Sequence, residues 1–423
     1  MDTITNDVIM TSRPLPTLSA MKILSALFLF LSLAGATANA QPARPVILVS
    51  IDGFRAEYLD RGVTDNLARL AAGGVRAVAM RPSFPSITFP NHYTLVTGLR
   101  PDHHGIVDNE MDDAAIPGQH FTLKNRAAVT DRRWWDQAEP VWVTAERHGV
   151  RSATLFWPGS EADIRGVRPT VSPRFDGKLP ADARVDLLLS WLDRPADQRF
   201  GFMTLYFDDV DHAGHDFGPD APQTTTALAV VDRAIARLQD GLAARQVEAD
   251  LVIVSDHGMA ALSKDRLIRM QDIVPAGSYR DQIDGPYAAM NAAPGREAEL
   301  AQALLQPQQH MQCWRKQDIP ARLAYGRNPR VAGFLCLAEP GWNIVFGDDA
   351  IARLKGGNHG YDNAVPEMAA IFIAAGPAFR RGVVLPAFDN VDVYPLVMRL
   401  LNLAPLPSDG DIAPLLPALA APQ

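Results

Sequence analysis

A doubly wound α/β fold, with a mostly parallel central sheet flanked by helices, is predicted by three features of the sequence. Short, continuously apolar runs alternate with helical patterns along most of the chain. Capping residues, Gly and Pro bound those runs. Acidic residues and histidines follow directly after several of them, at what would be the carboxyl ends of strands.

Taken in order, Val46-Ile47-Leu48-Val49-Ser50-Ile51 is β-branched and apolar without alternation, which suits a strand buried on both faces. Residues 64–73 open on Thr-Asp and close on Gly, the pattern of a capped helix. Strand patterns follow at Ala153 to Trp157, Phe200 to Phe207, Asp250 to Ser255, Asn343 to Phe346 and Ala369 to Ala374. Helical patterns fall at 181–193, at 222–244 and near 391–402. Strand-helix-strand order implies right-handed crossovers. Residues 260–340 break the rhythm with Pro-containing polar sequence and both cysteines, and are expected to form an insertion or cap within one domain.

Composition removes other classes. Of 423 residues 47% are hydrophobic and 21% charged, enough apolar material for a large core and too much for a disordered chain. The formal charge of −8, with no Lys/Arg block, argues against a nucleic-acid-binding module. Two cysteines cannot build a disulfide framework or a four-Cys zinc module. Met21-Lys22, the apolar run Ile23 to Leu33 and Ala38-Asn39-Ala40 have the order of a cleavable secretory signal, with residues 1–20 as an upstream extension. Cleavage would leave residues 41–423 (423 − 40 = 383) as an exported protein, periplasmic or secreted, without a membrane anchor. In that setting Cys313 and Cys336 could pair. Oligomeric state is not legible.

The chemistry lies after the apolar runs. Asp52 follows the first; Asp208-Asp209-Val210-Asp211-His212-Ala213-Gly214-His215 follows Phe207; Asp256-His257 follows Ser255; and His359 stands in a fourth polar cluster, Gly356 to Asn363. Singly, an Asp-His after a strand is an ordinary cap or turn. Four such clusters on one rim point to divalent metal, and mixed Asp/His donors suit zinc. They exceed what one tetrahedral ion needs, so a metal pair is expected, the arrangement that clamps attacking and leaving oxygens in phosphoryl transfer. Asp211 and His215 share a face if helical, although Gly214 equally permits a loop. A nucleophile is expected in Arg81 to Gly98, where Pro90 marks a first helical turn and Thr88 a helix N-terminus. Spacing alone reads Thr88 as an N-cap and leaves Ser83 and Ser86 open as nucleophiles.

These residues resemble a family. Val49 to Arg55, Pro82 to Gly98, Gly105-Ile106-Val107-Asp108-Asn109, Phe156-Trp157-Pro158-Gly159-Ser160, Asp211-x-x-Gly214-His215, Ser255 to Met259, His359 to Asn363 and Asn390 to Pro395 are similar to the nucleotide pyrophosphatase/phosphodiesterase branch of the alkaline phosphatase superfamily, in the manner of a bacterial single-domain member. The second cluster departs by having Asp for Glu and Val for Pro, which keeps Asp208 and His212 open as substitute ligands. The resemblance implies two zinc ions. Thr88, Asp52, Asp256 and His257 would hold one; Asp211, His215 and His359 the other. It further implies Thr88 as nucleophile, passing through a phosphothreonine, and Asn109 as donor to a phosphoryl oxygen. Nucleotides would be the substrates, with Phe89, Phe175, Trp157 and Tyr206 as candidate contacts to the base. A choline-phosphoester or lysophospholipid phosphodiesterase, or an inactive exported binding protein, are the alternative readings.

Overall fold

Strand β1, Val46–Ile51, is buried along its whole length, as its unbroken apolar run predicts. Its residues divide by parity. Val46 and Leu48 join one core and Ile47, Val49 and Ile51 the other, because successive side chains of a strand leave on opposite faces. The computed structural model of the chain describes residue 3 and residues 44–421. The signal-like stretch therefore lies outside the described residues. Among those residues no helix is long and apolar enough to cross a membrane.

In chain order, helix α1 spans Asp65–Gly73, β2 Val75–Ala77, α2 Thr88–Thr97, β3 Ser152–Leu155, α3 Ala181–Leu192 and β4 Phe202–Phe207. Then come α4 Asp209–Phe217, α5 Pro222–Ala244, β5 Asp250–Val254, four strands of an inserted segment, β10 Phe372–Ala375, β11 Val383–Leu385 and α6 Val393–Leu400. The seven-stranded central sheet runs β11-β2-β10-β5-β1-β4-β3. It is parallel apart from β10, which lies antiparallel to both β2 and β5. Leu67 of α1, Leu188 of α3 and Val231 and Ile235 of α5 cover one face; Tyr93 and Val96 of α2 and Leu396 and Val397 of α6 cover the other. This is the alkaline phosphatase-like arrangement expected from the resemblance.

The segment after β5 makes a sheet of its own. Strands β6 Tyr279–Ile283, β7 Tyr287–Ala292, β8 Met311–Arg315 and β9 Phe334–Ala338 pair antiparallel in the order β6-β7-β9-β8. Cys313 of β8 faces Cys336 of β9, and the two form a disulfide. One expectation fails here: Asn343–Val345 pairs with Leu267–Arg269 rather than joining the central sheet. A three-residue apolar run carries no mark of which sheet it enters. Residues 44–421 form one compact unit.

Candidate active site

The carboxyl ends of β1, β4 and β5 adjoin in the sheet because β1 pairs with both neighbours. Asp52, the 208–215 stretch and Asp256-His257 therefore reach one rim. The turn after β1 is held by Gly53, whose φ of +69° favours glycine and whose missing Cβ would stand 2.9 Å from the Asp211 Cα. Gly53→Ala is expected to lower stability by about 1–2 kcal/mol through its left-handed backbone. It should also displace Asp211, so the affinity of the rim for a divalent metal, measured by calorimetry, should fall as well.

Helix α4 settles the Asp211–His215 spacing. It is helical through Gly214, so both side chains fall on one face, and a Cβ at Gly214 would press on the Met259 side chain. His359 completes the group from the far side of the rim. Its Nε2 lies 3.0 Å from His215 Nε2 and 3.5 Å from Asp211 Oδ1, and His215 Nε2 is 3.5 Å from the same Asp211 oxygen. Beside it, His257 Nε2 stands 2.9 Å from Asp256 Oδ2, 3.4 Å from Asp52 Oδ1 and 3.3 Å from Thr88 Oγ1. The His257 and His359 rings stack at 3.5 Å, so donor atoms of Asp52, Asp256 and His257 and of Asp211, His257 and His359 form two adjoining sets.

Hydrogen bonding fits these donors to a cation. The Nδ1 atoms of His215, His257 and His359 each lie within 2.9–3.0 Å of a backbone carbonyl, of Gly357, Gly258 and Ser86. A carbonyl only accepts, so each Nδ1 carries a proton and each ring turns its Nε2 inward, where the neutral form presents a lone pair. Two such lone pairs 3.0 Å apart, on His215 and His359, repel unless a cation lies against both. Asp52 Oδ1, Asp211 Oδ1 and Asp256 Oδ2 are likewise buried without a hydrogen-bond donor. Burial, then the charges of Asp256 and Asp211, push the Asp52 carboxyl well above its usual range. At Asp256 burial acts in the same direction, but the His257 and His92 charges outweigh it and hold the carboxyl low. Burial, reinforced by His257 and His215, drives His359 well down, which keeps its imidazole neutral. Three inward-turned imidazoles, two of them buried, beside three buried carboxylate oxygens without donors fit the donor set of a divalent metal site.

Thr88 begins helix α2. Ile87 is its N-cap, and no side chain caps the helix, so the capping role read from spacing is not the one Thr88 has. The neighbouring serines are committed elsewhere. Ser83 Oγ donates to Asn390 Oδ1 at 2.9 Å and Ser86 Oγ to the Tyr361 carbonyl at 3.0 Å, both wholly buried. Asn91 ties the loop together: it accepts from the Ser83 N–H and donates to the carbonyls of Pro85 and Ile87, each at 2.8–2.9 Å.

Thr88 lies on the wall of a cavity of about 340 Å³ shared with Asp52, Phe89, Phe156, Trp157, Phe175, Tyr206 and Asp211. Phe175 is exposed, its ring set 5.3 Å from Phe156 and its N–H bonded to Glu161 Oε1 at 3.1 Å. Phe89 packs edge-on against Phe121. Trp157 is almost wholly buried and donates its Nε1–H to the His92 carbonyl. Tyr206 donates its hydroxyl to Asp52 Oδ2 at 2.6 Å, orienting that carboxylate. Asp208 turns away from the cluster to Arg184, 2.7 Å off, and His212 is exposed, so neither joins the donor sets. Asn109 accepts the Phe89 N–H at Oδ1, 2.9 Å, which leaves its amide N–H₂ as the free end.

The profile of the type I phosphodiesterase / nucleotide pyrophosphatase family matches residues 46–362. The chain belongs to that family. It is 38% identical over 392 residues to an uncharacterized pyrophosphatase/phosphodiesterase of Schizosaccharomyces pombe, covering 88% of this chain and 80% of that one. Against human ectonucleotide pyrophosphatase/phosphodiesterase family member 1 the identity is 35% over 379 residues, covering 86% of this chain and 41% of the relative. A venom phosphodiesterase of Crotalus durissus collilineatus is 37% identical, with 86% and 45% covered. The chain thus spans less than half the length of the human and venom proteins. An inactive variant of murine ectonucleotide pyrophosphatase/phosphodiesterase 5, solved in complex with AMP, superposes with a TM-score of 0.85 at 33% identity, over 89% of this chain and all of that one.

Proposed function

We propose that this family member is an exported, zinc-dependent hydrolase of nucleotide phosphodiester and pyrophosphate bonds that releases nucleoside 5′-monophosphates. The observation that carries the reading is a cavity lined by Thr88, Phe89 and Phe175, with Thr88 Oγ1 3.3 Å from His257 Nε2. The AMP bound by the murine relative, and the ectoenzyme and venom names of others, agree with it.

Two zinc ions, held by Asp52, Thr88, Asp256 and His257 and by Asp211, His215 and His359, would supply Lewis-acid chemistry that makes the Thr88 hydroxyl acidic and offsets charge on the leaving oxygen. The remaining work belongs to side chains. Thr88 Oγ1 gives up its proton to solvent and attacks phosphorus in line, the bond to the leaving oxygen breaks, and a phosphothreonine diester forms. The Asn109 amide, fixed by the Phe89 N–H, donates to a nonbridging oxygen as charge gathers there. Water then attacks the same phosphorus, the Thr88–phosphorus bond breaks, and the 5′-monophosphate leaves. Trp157 to Glu161 lies where some monoesterases of the superfamily carry a Lys-x-Arg pair; here Glu161 is itself paired with Arg126 at 2.6 Å. Lys124 and Arg174 stand on the same cavity wall and suit a polyanionic substrate.

Hydrolysis rates for p-nitrophenyl-TMP, p-nitrophenyl phosphate and p-nitrophenylphosphocholine test the assignment. The nucleotide diester is expected to be fastest; a faster monoester or choline ester would overturn it, and no turnover of any would indicate a binding protein. Because stacking is worth about 1–3 kcal/mol per base, Phe175→Ala should raise KM for the nucleotide diester about tenfold. Its kcat should stay near wild type, since the ring's packing partners are Phe156 and Tyr206 rather than Thr88.

A further inference from the structure

Asn109 stands in the turn 107–110, and that turn is gripped by the inserted segment rather than by the central sheet. Tyr287, the first residue of β7, donates its hydroxyl to Asp108 Oδ2. Tyr325, further along the same segment, donates to the Val107 carbonyl at 3.1 Å. Asp108 Oδ1 accepts the Glu110 N–H at 3.2 Å and so closes the turn around Asn109. Phe84, in the loop that leads to Thr88, sets its ring edge-on to both tyrosines, with centroids 6.1 and 5.3 Å away. Asp108, Tyr287 and Tyr325 are all buried. Burial raises the Asp108 carboxyl to about 7, against the pull of the Tyr287 hydroxyl and the backbone N–H groups of Glu110 and Asn109. A buried carboxylate is an expensive way to shape a turn that an amide could close, unless the location of the turn matters.

We propose that Asp108, Tyr287 and Tyr325 are positioning residues for Asn109: the inserted segment holds the 107–110 turn so that the Asn109 amide faces the reacting phosphoryl group. The inference rests on Asn109 being the phosphoryl-oxygen donor. The backbone end of the residue is set by the two tyrosines and its side-chain end by the Phe89 N–H. Freeing the backbone end lets the amide drift, and a displacement near 1 Å can cost about a hundredfold in rate.

A double-mutant cycle tests this, with kcat and KM for p-nitrophenyl-TMP read on the zinc-loaded protein. Tyr287→Phe keeps the ring that packs against Gly360 beside His359 and removes only the donor to Asp108. Its kcat is expected to fall about tenfold with KM within about twofold, a fraction of the loss that complete misplacement would bring. Asn109→Ala should lower kcat by about 10²–10³, the usual loss for one such donor. In the Asn109→Ala background Tyr287→Phe should have no further effect, because the group it positions is gone. The same tenfold loss in both backgrounds would overturn the proposal and mark Tyr287 as merely structural. An impaired Asn109→Ala beside an unimpaired Tyr287→Phe would overturn the positioning role alone. Wild-type kcat in Asn109→Ala would remove the donor role and the proposal with it. Should Tyr287→Phe fail to fold, Tyr325→Phe, which loses only the bond to the Val107 carbonyl, runs through the same cycle with the same expectations.

Discussion

Replacing Thr88 by Ala is expected to lower kcat for a nucleotide diester by about 10⁴-fold or more, the scale seen when a covalent nucleophile is removed. The expectation rests on selection among three hydroxyls within six residues. Ser83 and Ser86 are wholly buried and donate to Asn390 and to the Tyr361 carbonyl, whereas Thr88 lines the cavity beside His257. The fold should survive, since Thr88 makes no side-chain cap of α2 and Ala is favourable in a first helical turn. Circular dichroism and zinc content close to wild type, beside lost p-nitrophenyl-TMP hydrolysis, is the expected pair of results. Turnover retained in Thr88→Ala would move the nucleophile to one of the serines.

Exhaustive chelation is expected to abolish turnover and to lower the melting temperature together. Without a cation, Asp52 Oδ1, Asp211 Oδ1 and Asp256 Oδ2 stay buried with no donor, and the Nε2 lone pairs of His215 and His359 face each other at 3.0 Å. Each ion present at a thousandfold over its Kd should add about 4 kcal/mol to folding stability. Titrating zinc into the chelated protein should therefore restore activity and thermal stability over the same concentration range. Full activity at undetectable metal content, or restored stability without restored turnover, would separate the metal from the chemistry and sink the mechanism.

Much of the framework was legible in the sequence because burial leaves a mark on residue type. The six residues of β1 read as a strand buried on both faces, and they are. Helices expected at 64–73, 181–193 and 222–244 occur at Asp65–Gly73, Ala181–Leu192 and Pro222–Ala244, where periodicity and end signals coincide. Partnership left no such mark. The antiparallel direction of β10, and the pairing of Asn343–Val345 outside the central sheet, depend on long-range contacts that short apolar runs do not encode. In the same way nothing in the local sequence shows that the Tyr206 hydroxyl reaches Asp52; strand register brings it there.

By itself the sequence determined which chemical groups the protein owns and roughly where each falls: Asp52, Asp211, Asp256 and His257 come after apolar runs, and His359 stands in a separate polar cluster. Only the tertiary structure decided how those groups are used. It left Thr88 on the cavity wall while burying the Ser83 and Ser86 hydroxyls against partners more than 270 positions away, paired Asp208 with Arg184, and brought the Tyr287 hydroxyl to Asp108, beside Asn109. The physical reason is that a side chain's role is fixed by what satisfies its polar atoms, and in a doubly wound sheet those partners arrive from distant parts of the chain.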